Sequence, residues 1–540
     1  MTKKELTLIL AILAIGVFLR FYLITQIPPG LYPDEATNGN NAVEALRTGG
    51  FKVFYPENNG REGLFINIQA FSLWLFGEQA WALRVVSALF GSLTILGIFL
   101  LARELFSDKP RRAMLVSLFS SFFLATSFWH INFSRVGFRA ITVSFFSAFG
   151  MYFLLRGLRK GKILDTVLAG IFIGLGFHTY IAFRFMPFVI LAPFAIYLWR
   201  WWKSSRDNLQ PSHCVPCVVA LFLFITIVVA LPVGFYFLQN PQDFLGRSGQ
   251  VSIFSAANPL YEFVKSNALT LQMFFWRGDC NPRHNFACQP QLFWPVAVFF
   301  AVATALALRA LFKKTDALPA ATLLAWFVFM LFPATLTREG IPHALRSIGL
   351  IPPVFLLAGW GAEFLWTSAR DWLDRAKQEQ KWQSYWPQFH RIKKEVAVLF
   401  ALLLLFTAFN AYRTYFVRFP ENPNTYYAFG TDLANIGQYM NTLPGDARKI
   451  VIVNLSGDLI RGIKAPAQTP MFITGTFSEE ERREKKTEYL NELGGLTLGA
   501  EEKVAIIPLN PADKQLVKEI KKRFPQLKPK APGDFISFEN

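Results

Sequence analysis

The sequence predicts a mainly α-helical, polytopic membrane protein of about 11 transmembrane helices with a C-terminal soluble α/β domain. Three observations predict it. Of 540 residues, 53% are hydrophobic and only 17% are charged, with 57 Phe and 14 Trp, which is far from the balance of a soluble chain. Apolar runs close to membrane-spanning length recur along the first three quarters of the sequence. From about residue 414 onward, charged and polar residues dominate. The net charge of +18 does not point to nucleic acid, because the basic residues fall in short stretches between the apolar runs. That is how Lys and Arg hold loops on the cytoplasmic side of a membrane and meet anionic lipid.

Taken in order, Lys3 and Lys4 precede an apolar run over 6–24 with no small-residue cleavage site after it. It reads as a signal anchor with its N-terminus inside. A long polar loop follows over 28–79. Further spans are predicted at 80–102, 113–131, 140–155, 164–183, 185–199 and 215–238. A second polar loop covers 239–291. The last spans are predicted at 292–311, 318–336, 345–366 and 396–412. The strongly basic loops, around Arg103 to Arg112, Arg156 to Lys162, Arg200 to Arg206, Lys313–Lys314 and 369–394, all fall on one side in this count, which agrees with the positive-inside rule. The apolar stretch 64–76 is short, and counting it as a span would invert every later loop. It is therefore predicted to lie in the interface. Two parts result: a transmembrane module, 1–413, and an extracytoplasmic α/β domain, 414–540. Within that domain 450–454 and 504–508 read as buried strands. Residues 478–493, capped by Ser478 and Glu481, and 511–524 read as helices.

The first outer loop holds the most informative residues. It opens Pro28-Pro29-Gly30-Leu31-Tyr32-Pro33-Asp34-Glu35 and continues to Glu57-Asn58-Asn59-Gly60-Arg61-Glu62 at the mouth of the interfacial helix. Two adjacent carboxylates just outside a span fit a general base. The plainer reading is that Asp34 caps a helix over 35–46. A second acidic residue and an arginine at the membrane surface suit a phosphate-bearing lipid.

The Asp34-Glu35 pair after the first span, Arg61-Glu62 before an interfacial helix, and about 11 spans with an outer C-terminal domain together resemble the type-C glycosyltransferases. The nearest likeness is to the protein O-mannosyltransferase and lipid A aminoarabinose transferase group, and it covers about 1–412. The resemblance implies a sugar transfer from a polyprenyl-phosphate-linked donor to a lipid, glycan or protein acceptor on the extracytoplasmic side. It places the catalytic carboxylate at Asp34, with Glu35 beside it, and a metal- or phosphate-contacting role at Glu62. Several relatives carry an acidic residue in the next outer loop. Here that loop reads Phe133-Ser134-Arg135-Val136-Gly137-Phe138-Arg139, with two arginines and no carboxylate. Arginines neutralise a leaving phosphate without a metal.

Candidates for donor-phosphate binding are therefore Arg61, Arg135, Arg139, Arg283 and Arg346. Arg135 and Arg139 read equally well as interface anchors, and Arg346 as a snorkelling side chain. Glu62 and His284 are the candidate ligands of a divalent metal. His178, Tyr180, Arg184 and His343 are further candidates for the cavity wall. Cys280 and Cys288 share the second outer loop at short spacing and are predicted to be bonded. His213, Cys214 and Cys217 sit at the inner edge, where a single Cys-x-x-Cys is a weak zinc signal. A flippase or transporter of lipid-linked sugars is the alternative function. The sequence shows neither the related halves nor the broken midplane helices of such a protein, and its mid-membrane segments carry few charges.

Overall fold

The computed structural model describes residues 2–207, 212–244, 252–313, 315–378, 386–499 and 501–540. The centre of the predicted inner loop over 369–394 and part of the predicted outer loop over 239–291 lie outside these residues. The chain divides into two compact units, Met1–Tyr22 with Ser87–Arg418, and Leu23–Val86 with Phe419–Asn540.

Among the described residues, the first ten α-helices in chain order are α1 Lys3–Phe21, α2 Pro33–Thr48, α3 Gly63–Phe76, α4 Ala80–Leu105, α5 Pro110–Ala125, the short α6 Phe128–Phe133, α7 Ile141–Lys160, α8 Ile163–Gly176, α9 Met186–Arg206 and α10 Val215–Gln239. Among the described residues, eight helices are long and apolar enough to cross a membrane: Ala80–Leu105, Ile141–Lys160, Ile181–Arg206, Val215–Gln239, Trp294–Lys313, Ala317–Thr335, Ile348–Arg375 and Arg391–Arg418. The chain is thus an integral, multi-pass membrane protein. Helices also stand over the other three predicted spans. Of these, α1 carries Lys3, Lys4, Glu5 and Arg20, while α5 and α8 have 16 and 14 residues. Sixteen residues reach about 24 Å, less than a typical hydrocarbon core.

The first unit packs its helices through small residues. On α8, Gly170 and Gly174 face Ile225 and Val229 of α10, and a Cβ at either glycine would lie 2.7 or 2.6 Å from those side chains. Close approach of this kind replaces hydrophobic driving force inside a bilayer. The basic loop ends are tied across helices by ion pairs. Arg159 reaches Glu104 at 2.7 Å and Arg156 reaches Asp165 at 3.0 Å, joining the ends of α4, α7 and α8. Arg112 holds Asp316 at 2.8 Å and Glu363 at 3.2 Å.

The second unit contains a five-stranded sheet in the order β6-β3-β7-β9-β8, from β3 Arg448–Ile452, β6 Thr487–Leu490, β7 Val504–Pro508, β8 Lys528–Lys530 and β9 Ser537–Glu539. Strands β6, β3 and β7 are parallel; β9 and β8 are antiparallel additions. Alternation places Val451, Val453 and Ile507 in one core, and Ile450, Ile452 and Ile506 in the other. Both faces are covered, which is why the strands read as unbroken apolar runs. Two hairpins complete the unit, β1 Phe54–Tyr55 with β2 Arg61–Glu62, and β4 Leu459–Ile460 with β5 Ile463–Lys464. In the same unit, α2 and α3 pack together through Ala36, Val43, Ile66, Ala70 and Leu73, joined by Phe472. The other side of α3 exposes Phe71, Trp74, Leu75 and Phe76. Gly30 lies against the backbone of Phe429 and Thr431, where a Cβ would come within 2.6 Å, and its φ is +67°. Only glycine fits there.

Several boundaries differ from the sequence reading, three of them at informative places. The predicted helix over 478–493 ends at Glu484, and β6 follows it. The cap by Ser478 and Glu481 is present, but the charged helix buries nothing, whereas Thr487 and Tyr489 alternate into the core. A left-handed Lys486 makes the turn. The run 113–131 breaks at Thr126–Ser127 into α5 and α6. Helix also begins only at Ile348, so Arg346 stands in the turn ahead of it.

Candidate active site

In the second unit, the paired carboxylates Asp34 and Glu35 separate into two environments. Helix α2 starts at Pro33 with Tyr32 as N-cap, so Asp34 is inside the first turn and is not the cap. Glu35 reaches back to the Tyr32 amide at 3.4 Å. The Glu35 side chain is fully buried and meets the buried Arg84 at 3.1 and 3.2 Å. Arg84 also donates to the carbonyls of Pro28 at 2.6 Å and Gly30 at 2.8 Å. Charge, carbonyls and helix start are thus locked together. Asp34, one residue earlier, remains half-exposed and accepts a hydrogen bond from Asn58 Nδ2 at 2.9 Å.

Arg61 is buried and donates to Asn38 at 2.8 Å, Asn41 at 2.6 Å and the Glu57 carbonyl at 3.2 Å. It clamps the 57–62 segment onto α2. The same segment is held from the other side by Arg461, in the β4-β5 turn. Arg461 donates to both oxygens of Glu44 at 2.8 and 2.7 Å and to Glu57 at 2.8 Å. Asn59 donates to Asp458, just ahead of β4, at 2.5 Å. Burial pushes the Glu57 carboxyl up, but Arg461, Asn41 and Arg61 outweigh it and hold it below the usual range. Asp34 is therefore positioned through Asn58 by neighbours anchored on both sides. Glu62 is buried at the N-cap of α3.

In the first unit, the segment 279–288 builds a separate cluster with His343 and Ala344. Asp279 Oδ2 meets His284 Nδ1 at 2.9 Å and accepts from the Ala344 amide at 2.8 Å. The rings of His284 and His343 are 4.7 Å apart. Among the described residues, Asp279, His284 and His343 form the group able to hold a metal ion, with donor atoms within 4.8 Å of one another. Glu62 is not in this group. Burial lowers the His284 imidazole, against the opposing pull of Asp279. A neutral ring is the ligand form, and a carboxylate on Nδ1 fixes its tautomer. A cavity of about 470 Å³ opens here, lined by Gln272, Arg277, Asp279, His284 and His343 among others. Cys280 and Cys288 are bonded as predicted.

The other predicted residues take varied places in this unit. Arg135 is buried, donates to the carbonyls of Leu19 and Arg20 at 3.3 and 2.8 Å, and lies under Tyr415 and Phe416. Arg139 is half-exposed above the Tyr180 ring. His178 Nε2 meets the Val229 carbonyl at 2.9 Å. Arg184 donates to the Phe244 carbonyl at 2.7 Å and stacks on Phe237 and Phe244. Arg283 is half-buried beside Asn281. Arg346 donates to Thr337 at 2.8 Å and the Glu339 carbonyl at 2.9 Å.

Sequence reading missed Arg84, Asn58, Arg461, Arg20 and His130. Arg84 and Arg20 did carry a signal, each a lone charge within an apolar run. Arg20 is fully buried and meets His130 Nδ1 at 2.6 Å, with further bonds to the carbonyls of Gly16, Leu124 and Ala125. Asn58 and Arg461 carried none.

Residues 64–230 match the family described as dolichyl-phosphate-mannose-protein mannosyltransferase. Among solved structures, the chain is similar to ArnT from Cupriavidus metallidurans bound to undecaprenyl phosphate, at 14% identity and a TM-score of 0.56, covering 100% of this chain and 98% of that one. Apo ArnT gives 15% identity and a TM-score of 0.56, covering 99% and 97%. The Archaeoglobus fulgidus oligosaccharyltransferase tethered to an acceptor peptide gives 14% and 0.47, covering 87% and 63%. No curated protein sequence matches the chain. At these identities the likeness to ArnT shows the fold, and the resemblance read from the sequence is to the same group.

Proposed function

We propose that the chain is a membrane glycosyltransferase that moves a sugar from a polyprenyl-phosphate carrier to an acceptor hydroxyl on the extracytoplasmic face, with inversion at the sugar carbon. The observation that carries this reading is the split between Asp34 and Glu35. Glu35 is buried and neutralised by Arg84, whereas Asp34 is half-exposed and positioned by Asn58. A base needs that exposure and that positioning. The ArnT-like fold and the mannosyltransferase family match support the donor class.

In this scheme Asp34 takes the acceptor proton as the acceptor oxygen attacks the anomeric carbon. The bond from that carbon to the phosphate oxygen breaks, and polyprenyl phosphate leaves. Arg61 and Arg135 are bound up with protein groups and act as positioning residues. Arg139, Arg283 and Arg346, each half-exposed, are assigned to the donor phosphate. Asp279, His284 and His343 would hold a divalent ion, which supplies positive charge for a leaving phosphate.

The test is single-turnover transfer from a radiolabelled polyprenyl-phosphate sugar, with donor binding measured in parallel. Asp34→Asn keeps the size and leaves the helix start intact, since Asp34 is not the cap. Transfer is expected to fall about 10²–10⁴-fold with binding preserved. Near-normal turnover would remove the base assignment.

A further inference from the structure

The Cys214-Val215-Pro216-Cys217 segment is used by nothing in the proposed transfer. It stands at the start of α10, a helix of 25 residues, with Cys214 as N-cap and Pro216 in the first turn. Both cysteines are exposed, whereas Val215 between them is buried. Their Cα atoms are 5.3 Å apart and the two sulfurs are bonded. The Cys217 amide points at Cys214 Sγ, 3.2 Å away. A thiolate on Cys214 would therefore receive a backbone N–H and the positive end of the α10 dipole. The second sulfur needed to resolve a mixed disulfide is already within bonding distance.

The surroundings fit an anionic thiol partner. His213 Nε2 meets the Leu158 carbonyl at 3.0 Å, and His213 fills the space beside Gly161. The pair is thus fastened to the turn between α7 and α8, where Lys160 and Lys162 flank Gly161. That fastening runs through His213, so it does not depend on whether the sulfurs are joined. Cys280 and Cys288 differ, because they close a loop whose backbone is also bonded across, Gly278 N to the Cys288 carbonyl at 3.0 Å.

We propose that Cys214 and Cys217 form a reversible dithiol–disulfide site that exchanges with a low-molecular-weight, anionic disulfide. The Cys214 thiolate attacks one sulfur of R–S–S–R. That bond breaks, one RS⁻ leaves, and Cys214–S–S–R forms. The Cys217 thiolate then attacks the Cys214 sulfur and releases the second RS⁻, leaving the Cys214–Cys217 disulfide. Two electrons pass to the small disulfide, and the two cysteine protons end on the two RSH released.

The probe is glutathione and its disulfide, in a graded series of ratios, applied to the full-length protein in detergent. Acid quenching, differential alkylation and peptide mass spectrometry then read each cysteine. The Cys214–Cys217 pair is expected to pass between dithiol and disulfide across the series while Cys280–Cys288 stays oxidised. In Cys217→Ser a glutathione adduct should build up on Cys214, about tenfold above that on Cys217 in Cys214→Ser. A wild-type pair that stays in one form throughout overturns the proposal, as do equal adducts in the two variants.

Discussion

Glu35→Gln separates a structural carboxylate from a catalytic one. In the folded chain Glu35 is fully buried and its charge faces the buried Arg84. Removing that charge strands a guanidinium away from water. Breaking one partner of a buried pair costs about 3–5 kcal/mol. The lower end applies here, because the carbonyls of Pro28 and Gly30 still accept from Arg84 and Gln retains one acceptor oxygen. A loss of about 3 kcal/mol lowers the melting temperature of a unit this size by roughly 6–12 °C. The assay is thermal unfolding of the detergent-purified variant, followed by single-turnover transfer well below the new midpoint. Transfer there is expected to be within about tenfold of wild type, against the 10²–10⁴-fold loss in Asp34→Asn. An unchanged midpoint combined with abolished transfer would refute the argument and make Glu35 the reacting carboxylate.

Arg461→Ala releases Glu44 and Glu57 from the β4-β5 turn and loosens the segment carrying Asn58. Since Arg461 is partly exposed, stability should drop by only about 1 kcal/mol, while turnover falls about tenfold or more through misplacement of Asp34. Equal stability with equal turnover would show that the turn does not position the base. Glu57 has a folded pKa held below its unfolded value, so its stabilisation is complete above about pH 4.3 and is lost as pH falls through the folded value. Glu57→Gln should therefore flatten the acid limb of a melting-temperature profile below that pH; an unaltered limb would contradict the assignment. Prolonged chelation, followed by metal analysis of wild type and His343→Ala, should show a stoichiometric ion lost from the first and missing in the second. Equal metal content in both before chelation would dismiss the cluster as the site.

The membrane character, the helices over the predicted spans, the strand at 504–508 and the acidic pair that opens the segment after the first predicted span were legible in the sequence. Each rests on a local signal: an apolar run, a run of β-branched residues, or charges beside a span. Residues 478–493 show where local signals stop. A good cap and charged residues predicted one helix, but Tyr489 had a core to enter, and burial outweighed propensity. The adjacent carboxylates make the same point at the site. Asp34 and Glu35 are chemically near-identical and one residue apart, so the sequence by itself determined that an acidic pair stands after the first span. Only the tertiary structure decided that Arg84, 49 residues later, takes Glu35, and that Arg461, 404 residues beyond Glu57, braces the segment beside Asp34. Ion pairs and hydrogen bonds at such separations leave no periodicity in the chain. They exist only once burial has brought their partners together and removed the water that would otherwise have solvated them.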